Sequence, residues 1–241
     1  MNGYINSIQT LGTLDGPGVR FVLFLQGCPL RCIYCHNPET WEYKKGNIMT
    51  VDSIVQTVLR YKNYFGKDGG ITVSGGEPLV QAEFVYELFK KCREYGINTA
   101  LDTSGCIMND TVKNVLSVTD TVLLDYKMIT PEDYVKYTKC TIDSVNMFLE
   151  YLQETDKNVW LRHVVVKDIT DFDENALFFK KLKEKYSCIK KTELLPFHKM
   201  CVTKYDELGI AFPLKDKEET TNERIDELYS IINDIKQPVY L

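Results

Sequence analysis

Val19-Arg20-Phe21-Val22-Leu23-Phe24-Leu25 runs directly into Gln26-Gly27-Cys28-Pro29-Leu30-Arg31-Cys32-Ile33-Tyr34-Cys35-His36-Asn37. Apart from one arginine, the first seven residues are β-branched, aromatic or aliphatic, which suits a strand buried on both faces. Glycine and proline then end the run, and three thiols follow in one short loop. In a parallel barrel or half-barrel, ligands sit at the carboxyl ends of the strands, where such a loop lies.

Working outward, the same alternation recurs. Five more strands are expected at Ile71–Val73, Thr99–Leu101, Thr121–Leu124, Val159–Val166 and Thr192–Leu195, with Val19–Leu25 as the first. Between them the apolar residues take a helical period. Residues 52–65 put Ile54, Val55, Val58 and Leu59 on one face behind a capping Thr50. Residues 82–95 do so with Phe84, Val85, Leu88, Phe89 and Cys92, stopping at Gly96. Further helices are expected over 110–117, 131–139, 143–154, 173–186 and 222–235. Strand and helix in repeated alternation predict an α/β fold with a parallel sheet, as one domain over residues 1–241. The polar stretch 215–221 reads as a surface excursion.

Composition narrows the function. A hydrophobic fraction of 44% and a charged fraction of 26% describe an ordinary packed chain and exclude dominant disorder. The net charge of −5, with acids and bases interspersed, argues against a grip on nucleic acid, which needs clustered Lys and Arg. No apolar run approaches the ~18 residues of a membrane helix. The N-terminus lacks the basic and apolar regions of a signal peptide. The expected address is the cytoplasm. Eight cysteines without an export signal are expected to be reduced, which turns attention to metal or redox chemistry.

The unusual residues fall at strand ends. Ser74-Gly75-Gly76-Glu77-Pro78 follows the second strand, Asp102-Thr103-Ser104-Gly105 the third and Asp125-Tyr126-Lys127 the fourth. Arg162 and His163 lie in the fifth, and the sixth runs into Pro196-Phe197-His198. The three-cysteine spacing supplies thiolates for one compact centre, and thiolates prefer zinc or iron–sulfur clusters. Structural zinc wants four closed ligands, so His36 would have to complete a Cys3His site. Three thiolates on a four-iron cluster instead leave one iron open.

The cysteine loop, with Tyr34 before its last thiol, resembles that of the radical S-adenosylmethionine (SAM) superfamily, whose type of fold is a partial (β/α)6 TIM-like barrel. Asp15-Gly16-Pro17-Gly18-Val19-Arg20-Phe21, Phe24, Gly27, the three cysteines and Asn37 resemble the signature of the glycyl-radical-enzyme activases. The likeness extends along the chain through Tyr34-Cys35-His36-Asn37, Ser74-Gly75-Gly76-Glu77, Leu101-Asp102-Thr103, Leu124-Asp125-Tyr126-Lys127 and Leu194-Leu195-Pro196-Phe197-His198. The resemblance implies that Cys28, Cys32 and Cys35 hold a [4Fe–4S] cluster whose open iron binds SAM. One electron, from a reduced flavodoxin or ferredoxin, would then cleave SAM to methionine and a 5′-deoxyadenosyl radical. Tyr34, Cys35, His36, Gly75, Gly76, Asp125, Tyr126, Lys127 and His198 match SAM-contacting positions. Asp102, Thr103, Leu123 (through its carbonyl) and Asp125 match a monovalent-cation site. Asp15, Gly16, Gly18, Asn37 and Arg162 match positions that meet the partner's glycine-containing peptide.

The span from Cys35 to Ser74 contains no cysteine. That lacks the ferredoxin-like insert of many activases and points to the subgroup acting on pyruvate formate-lyase, with the activase as a monomer. Each position also has a plainer reading: Gly75-Gly76 as a tight turn, Asp125 with Lys127 as a salt pair, Asp102 as a turn cap, Asp15–Gly18 as a Pro-Gly turn. His163 is expected to be structural and Cys201 to be packed, with an oxidation-prone exposed thiol as its alternative. Three other readings stand beside the activase: one for another glycyl radical enzyme, a small-molecule radical SAM enzyme, and a zinc-stabilised binding module.

Overall fold

A computed structural model describes residues 1–234. Eight strands form one sheet in the order β3-β1-β2-β4-β5-β6-β7-β8. The strands are β1 (Asn2–Gly12), β2 (Arg20–Leu25), β3 (Asn47–Thr50), β4 (Gly70–Gly75), β5 (Asn98–Thr103), β6 (Thr121–Asp125), β7 (Asn158–Val165) and β8 (Ile189–Pro196). From β2 to β8 every neighbouring pair is parallel. These six are the six expected strands. The helices are α1 (Val51–Tyr61), α2 (Ala82–Glu94), α3 (Asp110–Ser117), α4 (Pro131–Thr138), α5 (Ile142–Glu154), α6 (Asp173–Lys185), α7 (Val202–Leu208) and α8 (Asn222–Ile232). The alternation is that of a partial (β/α)6 barrel, with the chain's two ends of the sheet left unjoined.

Local chemistry sets the helix ends. Thr50 caps α1 by accepting a hydrogen bond from Ser53 N–H. Gly96, at φ 67°, ends α2, and Ile97 N–H bonds back to the Cys92 carbonyl at 3.1 Å. The expected end of the last helix, Ile235, lies outside the described residues.

Two strands were not expected. β1 and β3 pair antiparallel with each other, and β1 extends the sheet beside β2. The outer half of β1 and most of β3 face solvent, so neither carries the apolar run that marks a central strand. The seven-residue α7 was likewise missed, being too short for a helical period to register.

The arginine inside the first expected strand has a structural reason. Arg20 is fully buried where β2 begins. It donates to Thr72 Oγ1 and Asn98 Oδ1, both at 2.9 Å, and to the carbonyls of Ile71, Asp68, Pro17 and Asn98. Burial pulls its pKa down to about 10, against the attraction of Asp120 and Asp15. Its hydrogen bonds join β2, β4 and β5 at their amino ends. An Arg20→Met substitution leaves those acceptors without a donor and is expected to destabilise the fold by about 2–4 kcal/mol. Urea unfolding of the two proteins measures this, and an unchanged midpoint refutes it.

Candidate active site

The loop after β2 carries Cys28, Cys32 and Cys35 and is held from three sides. Gly27 N–H and Cys28 N–H bond to the carbonyls of Thr40 (2.7 Å) and Trp41 (3.3 Å). Arg31 N–H and Ile33 N–H reach the carbonyls of Thr138 (2.8 Å) and Tyr137 (3.0 Å) in α4. From the far end of the sheet, Tyr205 Oη donates to the Cys35 carbonyl at 3.1 Å. Lys204 Nζ bridges Asn37 Oδ1 (2.9 Å) and Glu39 Oε1 (2.6 Å). Helix α7, after β8, thus crosses the open side of the half-barrel and clasps the loop that follows β2.

All three cysteines line a cavity of about 560 Å³ at the carboxyl ends of the strands, within the usual range for small-ligand sites. Burial pushes the three thiols up, Cys32 to about 12, although Lys127 opposes this at Cys32. Metal ligation requires thiolates, so the positive charge of bound iron is the counterweight this arrangement calls for. Among the described residues, no group of three His, Cys, Asp or Glu side chains converges on the volume of a single ion. His36 lies against His198, with ring centroids 4.2 Å apart and His36 Nε2 at 3.1 Å from the His198 carbonyl oxygen. Three thiolates in one loop suit an iron–sulfur cluster.

The opposite wall is polar, and strand register builds it. Asp125 and Arg162 are neighbours in the β6–β7 ladder, and Asp102 lies one strand further in β5. Arg162 Nε donates to Asp125 Oδ1 at 2.8 Å, and its Nη2 to Asp102 Oδ1. Lys127 Nζ donates to Asp125 Oδ2 at 3.1 Å. Burial alone would raise Asp125, but Arg162 and Lys127 outweigh it and hold the carboxyl near about 2. Burial would lower Lys127, yet Asp125 keeps it protonated well above its usual range. Asp102 is raised, because burial and the Asp125 charge exceed the pull of Arg162.

The four residues matched to a monovalent cation meet this cationic wall. Asp102 and Asp125 share Arg162, and Thr103 Oγ1 donates to Glu77 Oε1 at 2.7 Å. Leu123 is fully buried and does not line the cavity. The positive charge between the carboxylates is the guanidinium.

The other expected residues divide. Tyr34, His36, Asn37, Gly75, Gly76, Thr103 and His198 line the cavity with the cysteines and the charged wall. Tyr34 Oη donates to the Lys127 carbonyl at 3.3 Å. His198 Nδ1 is buried without a hydrogen-bond partner, a polar atom that a bound molecule would satisfy. Gly75 and Gly76 also have an internal reason to be glycine. A Cβ on Gly75 would lie 2.3 Å from Leu25 N, and one on Gly76 2.3 Å from the Gly27 oxygen.

Tyr126 does not line the cavity. Side chains alternate along a strand, so with Asp125 facing the cavity Tyr126 turns into the helix layer. There it bonds Asn146 Oδ1 at 2.7 Å and packs on Tyr134, Phe178 and Phe179. Asp15, Gly16 and Gly18 do not line the cavity either, whereas their neighbour Leu14 does. Gly18 backs onto Gly69, and the Asp15 carbonyl accepts from Thr72 Oγ1 at 2.7 Å. His163 is buried, its Nδ1 against the Tyr126 carbonyl, and burial lowers it to about 4, in keeping with a structural role. Cys201 is buried, so it is a packed thiol and not an exposed one.

Residue types alone did not reveal three contributors. Glu77 is buried and accepts from Thr103 Oγ1, Ser104 N–H, Ser104 Oγ and Leu79 N–H, so it ties the turn after β4 to the end of β5. Its one sequence signal is an acid set between Gly76 and Pro78 at a strand end. Lys204 and Tyr205 carried no signal, because their partners lie over 160 positions earlier.

Residues 14–146 match the family model described as a 4Fe-4S single cluster domain. Among solved structures, a domain of pyruvate-formate lyase-activating enzyme from Bacteroides vulgatus superposes with a TM-score of 0.57 at 20% identity, covering 69% of this chain and 94% of that one. SuiB from Streptococcus suis, bound to S-adenosylmethionine, gives 0.68 at 16% identity, covering 86% of this chain and 44% of the other. At that identity both show the fold. The pyruvate formate-lyase-activating enzyme of Staphylococcus epidermidis is 38% identical over 97% of this chain and 96% of its own length, and that of Staphylococcus aureus strain USA300 gives the same figures. Kinship on that scale takes in both the cysteine loop and the charged wall facing it: the chain belongs to the pyruvate formate-lyase-activating enzyme family.

Proposed function

We propose that this chain reductively cleaves SAM at a [4Fe–4S] cluster held by Cys28, Cys32 and Cys35, and so takes a hydrogen atom from a backbone glycine of pyruvate formate-lyase. The observation that carries this is the arrangement of three thiols in one loop, Cys28 buried and Cys32 and Cys35 half-buried, facing a charged wall across a ligand-sized cavity. When bound, the cluster supplies one open iron and one electron to the sulfonium of SAM.

The chain's own residues prepare the place. Lys127 stays protonated beside Asp125 and offers its ammonium to a carboxylate. Asp125 stays ionised and offers acceptors to an amine or hydroxyl. His198 Nδ1 waits unpartnered at the rim. Leu14, Leu30, Val164 and Leu195 line the same cavity and keep water from a reactive intermediate. The partner's glycine peptide enters where Asn37 and Arg162 line the cavity, with the Asp15–Gly18 loop behind them. A monovalent cation at Asp102, Thr103, Asp125 and the Leu123 carbonyl would share the carboxylates with Arg162. The chain acts as a cytoplasmic monomer and takes its electron from a reduced flavodoxin or ferredoxin. Among the described residues, no helix is long and apolar enough to cross a membrane.

The test is electron paramagnetic resonance on anaerobic, iron-loaded protein mixed with reductant, SAM and pyruvate formate-lyase. A glycyl-radical doublet is expected. 5′-Deoxyadenosine without the doublet would remove pyruvate formate-lyase as partner, and iron-free, zinc-bearing protein would remove the enzyme altogether. Asp15→Ala is expected to lose the doublet while still cleaving SAM; undiminished activation would refute the peptide role of that loop.

A further inference from the structure

The turn that follows the third cysteine departs from its own local chemistry. Asn37 stands directly before the short helical turn Pro38–Thr40, a place where an asparagine side chain ordinarily accepts a backbone N–H and caps the turn. Here it makes no such cap. The turn is closed without the side chain, because the Asn37 carbonyl accepts from Thr40 N–H at 3.0 Å and from Thr40 Oγ1 at 2.7 Å. The carboxamide Oδ1 instead accepts from Lys204 Nζ of α7 at 2.9 Å, across the open side of the half-barrel.

That contact decides which way the amide faces. An ammonium has three donors and no acceptor, so only the carbonyl half of the carboxamide can meet it. A flipped Asn37 would set N–H against N–H. Lys204 is itself held in place. Its Nζ donates to Glu39 Oε1 at 2.6 Å, and the Glu39 carbonyl accepts from Gln26 Nε2 at 2.9 Å. The next residue, Tyr205, gives its hydroxyl to the Cys35 carbonyl at 3.1 Å. Asn37 lines the cavity, whereas Lys204 does not. With Oδ1 committed to α7, the two N–H groups of Nδ2 have no acceptor among the described residues and remain for a molecule in the cavity.

We propose that Lys204 is a positioning residue for peptide recognition: it locks the Asn37 carboxamide with Nδ2 toward the cavity, where Nδ2 donates to a backbone carbonyl beside the target glycine. This rests on the activase reading given above. A glycine has no side chain to be recognised, so a site for it must read the backbone. A neutral amide does this without stripping water from a charge. Without the ammonium, the carboxamide is free to turn and to cap the Pro38–Thr40 turn with its Oδ1. Its donors then face the cavity only part of the time, which weakens the hold on the peptide and not the chemical step.

Initial rates of glycyl-radical formation are measured by electron paramagnetic resonance with iron-loaded protein, saturating SAM and varied pyruvate formate-lyase. Lys204→Met is expected to raise the KM for pyruvate formate-lyase about 3–10-fold, the worth of one hydrogen bond, with kcat nearly unchanged. Lys204→Arg keeps donors for both Asn37 and Glu39 and should hold KM near the natural value. Asn37→Asp keeps the tie to Lys204 but has no N–H to give, and should raise KM at least as far as Lys204→Met. In an Asn37→Ala background, Lys204→Met should add nothing, because the lysine acts through that amide. An unaltered KM in Lys204→Met overturns the proposal, as does a further rise in the double variant. So does a loss of kcat and iron at constant KM, which would make Lys204 only a prop of the cysteine loop. A natural protein that forms no radical on pyruvate formate-lyase refutes the activase reading itself, and this inference with it.

Discussion

Iron-loaded Cys32→Ala is expected to lose its cluster, while Cys92→Ala keeps it. Cys32 is one of three thiols in a loop whose backbone is fixed on both flanks by hydrogen bonds to Thr40, Trp41, Tyr137 and Thr138. No other thiol is held in that loop, so nothing replaces the lost ligand without breaking several of these bonds. Even the outer partners of metal ligands are worth about 10–100-fold in affinity. Loss of a ligand should therefore exceed that, and Cys28→Ala and Cys35→Ala should behave alike. Cys92 is buried in α2, with its thiol raised by burial alone. Its truncation should cost about 1–2 kcal/mol of stability and no iron. Iron and acid-labile sulfide content, with visible absorbance, checks both statements. A Cys92→Ala protein without iron, or a Cys32→Ala protein with it, would show that the ligands are misassigned.

Arg162→Met is expected to be the most damaging single change in the charged wall, and its effect should depend on pH. The guanidinium is nearly buried, with a side-chain exposure of 9%, against 13% for Asp102 and 23% for Asp125. Removing one partner of a buried ion pair is worth about 3–5 kcal/mol, and the lower end suits a wall that opens on a cavity. In the natural protein Asp125 is depressed to about 2 from an unfolded value of about 3.9. A depressed acid adds stability above its unfolded pKa and loses it as the pH falls through the folded one, roughly 2–3 kcal/mol here. In the variant, burial and the facing charge push the two carboxyls up. A raised acid binds its proton more tightly when folded, so the variant should lose stability as the pH rises from about 4 towards neutrality. Unfolding midpoints of both proteins between pH 4.5 and 8 test this. Parallel profiles would mean that Arg162 does not set the charge of this pair.

Much of the fold was legible because the barrel's strands are buried on both faces. Phe21–Leu25, Ile71–Val73 and Val122–Leu124 contain little but apolar residues, and the helices between them repeat at helical spacing. The antiparallel ribbon of β1 and β3 escaped notice for the opposite reason. Its stability comes from pairing at the sheet edge, which leaves most of its side chains in water without a pattern to detect.

The site divides along the same line. The spacing of Cys28, Cys32 and Cys35 determined by itself that one loop carries three ligands, because their separation along the chain is short enough to fix their separation in space. The sequence also determined that Asp102, Asp125, Arg162 and His198 reach one rim, since each stands in or directly after a parallel strand. Only the tertiary structure decided what these groups do to one another. Register across β5, β6 and β7 set Arg162 between two aspartates. Strand alternation turned Tyr126 away from the cavity. The crossing of α7 brought Lys204 and Tyr205 onto the cysteine loop. Such pairings depend on strand register and helix placement, which the packing of the whole barrel fixes and no local stretch encodes.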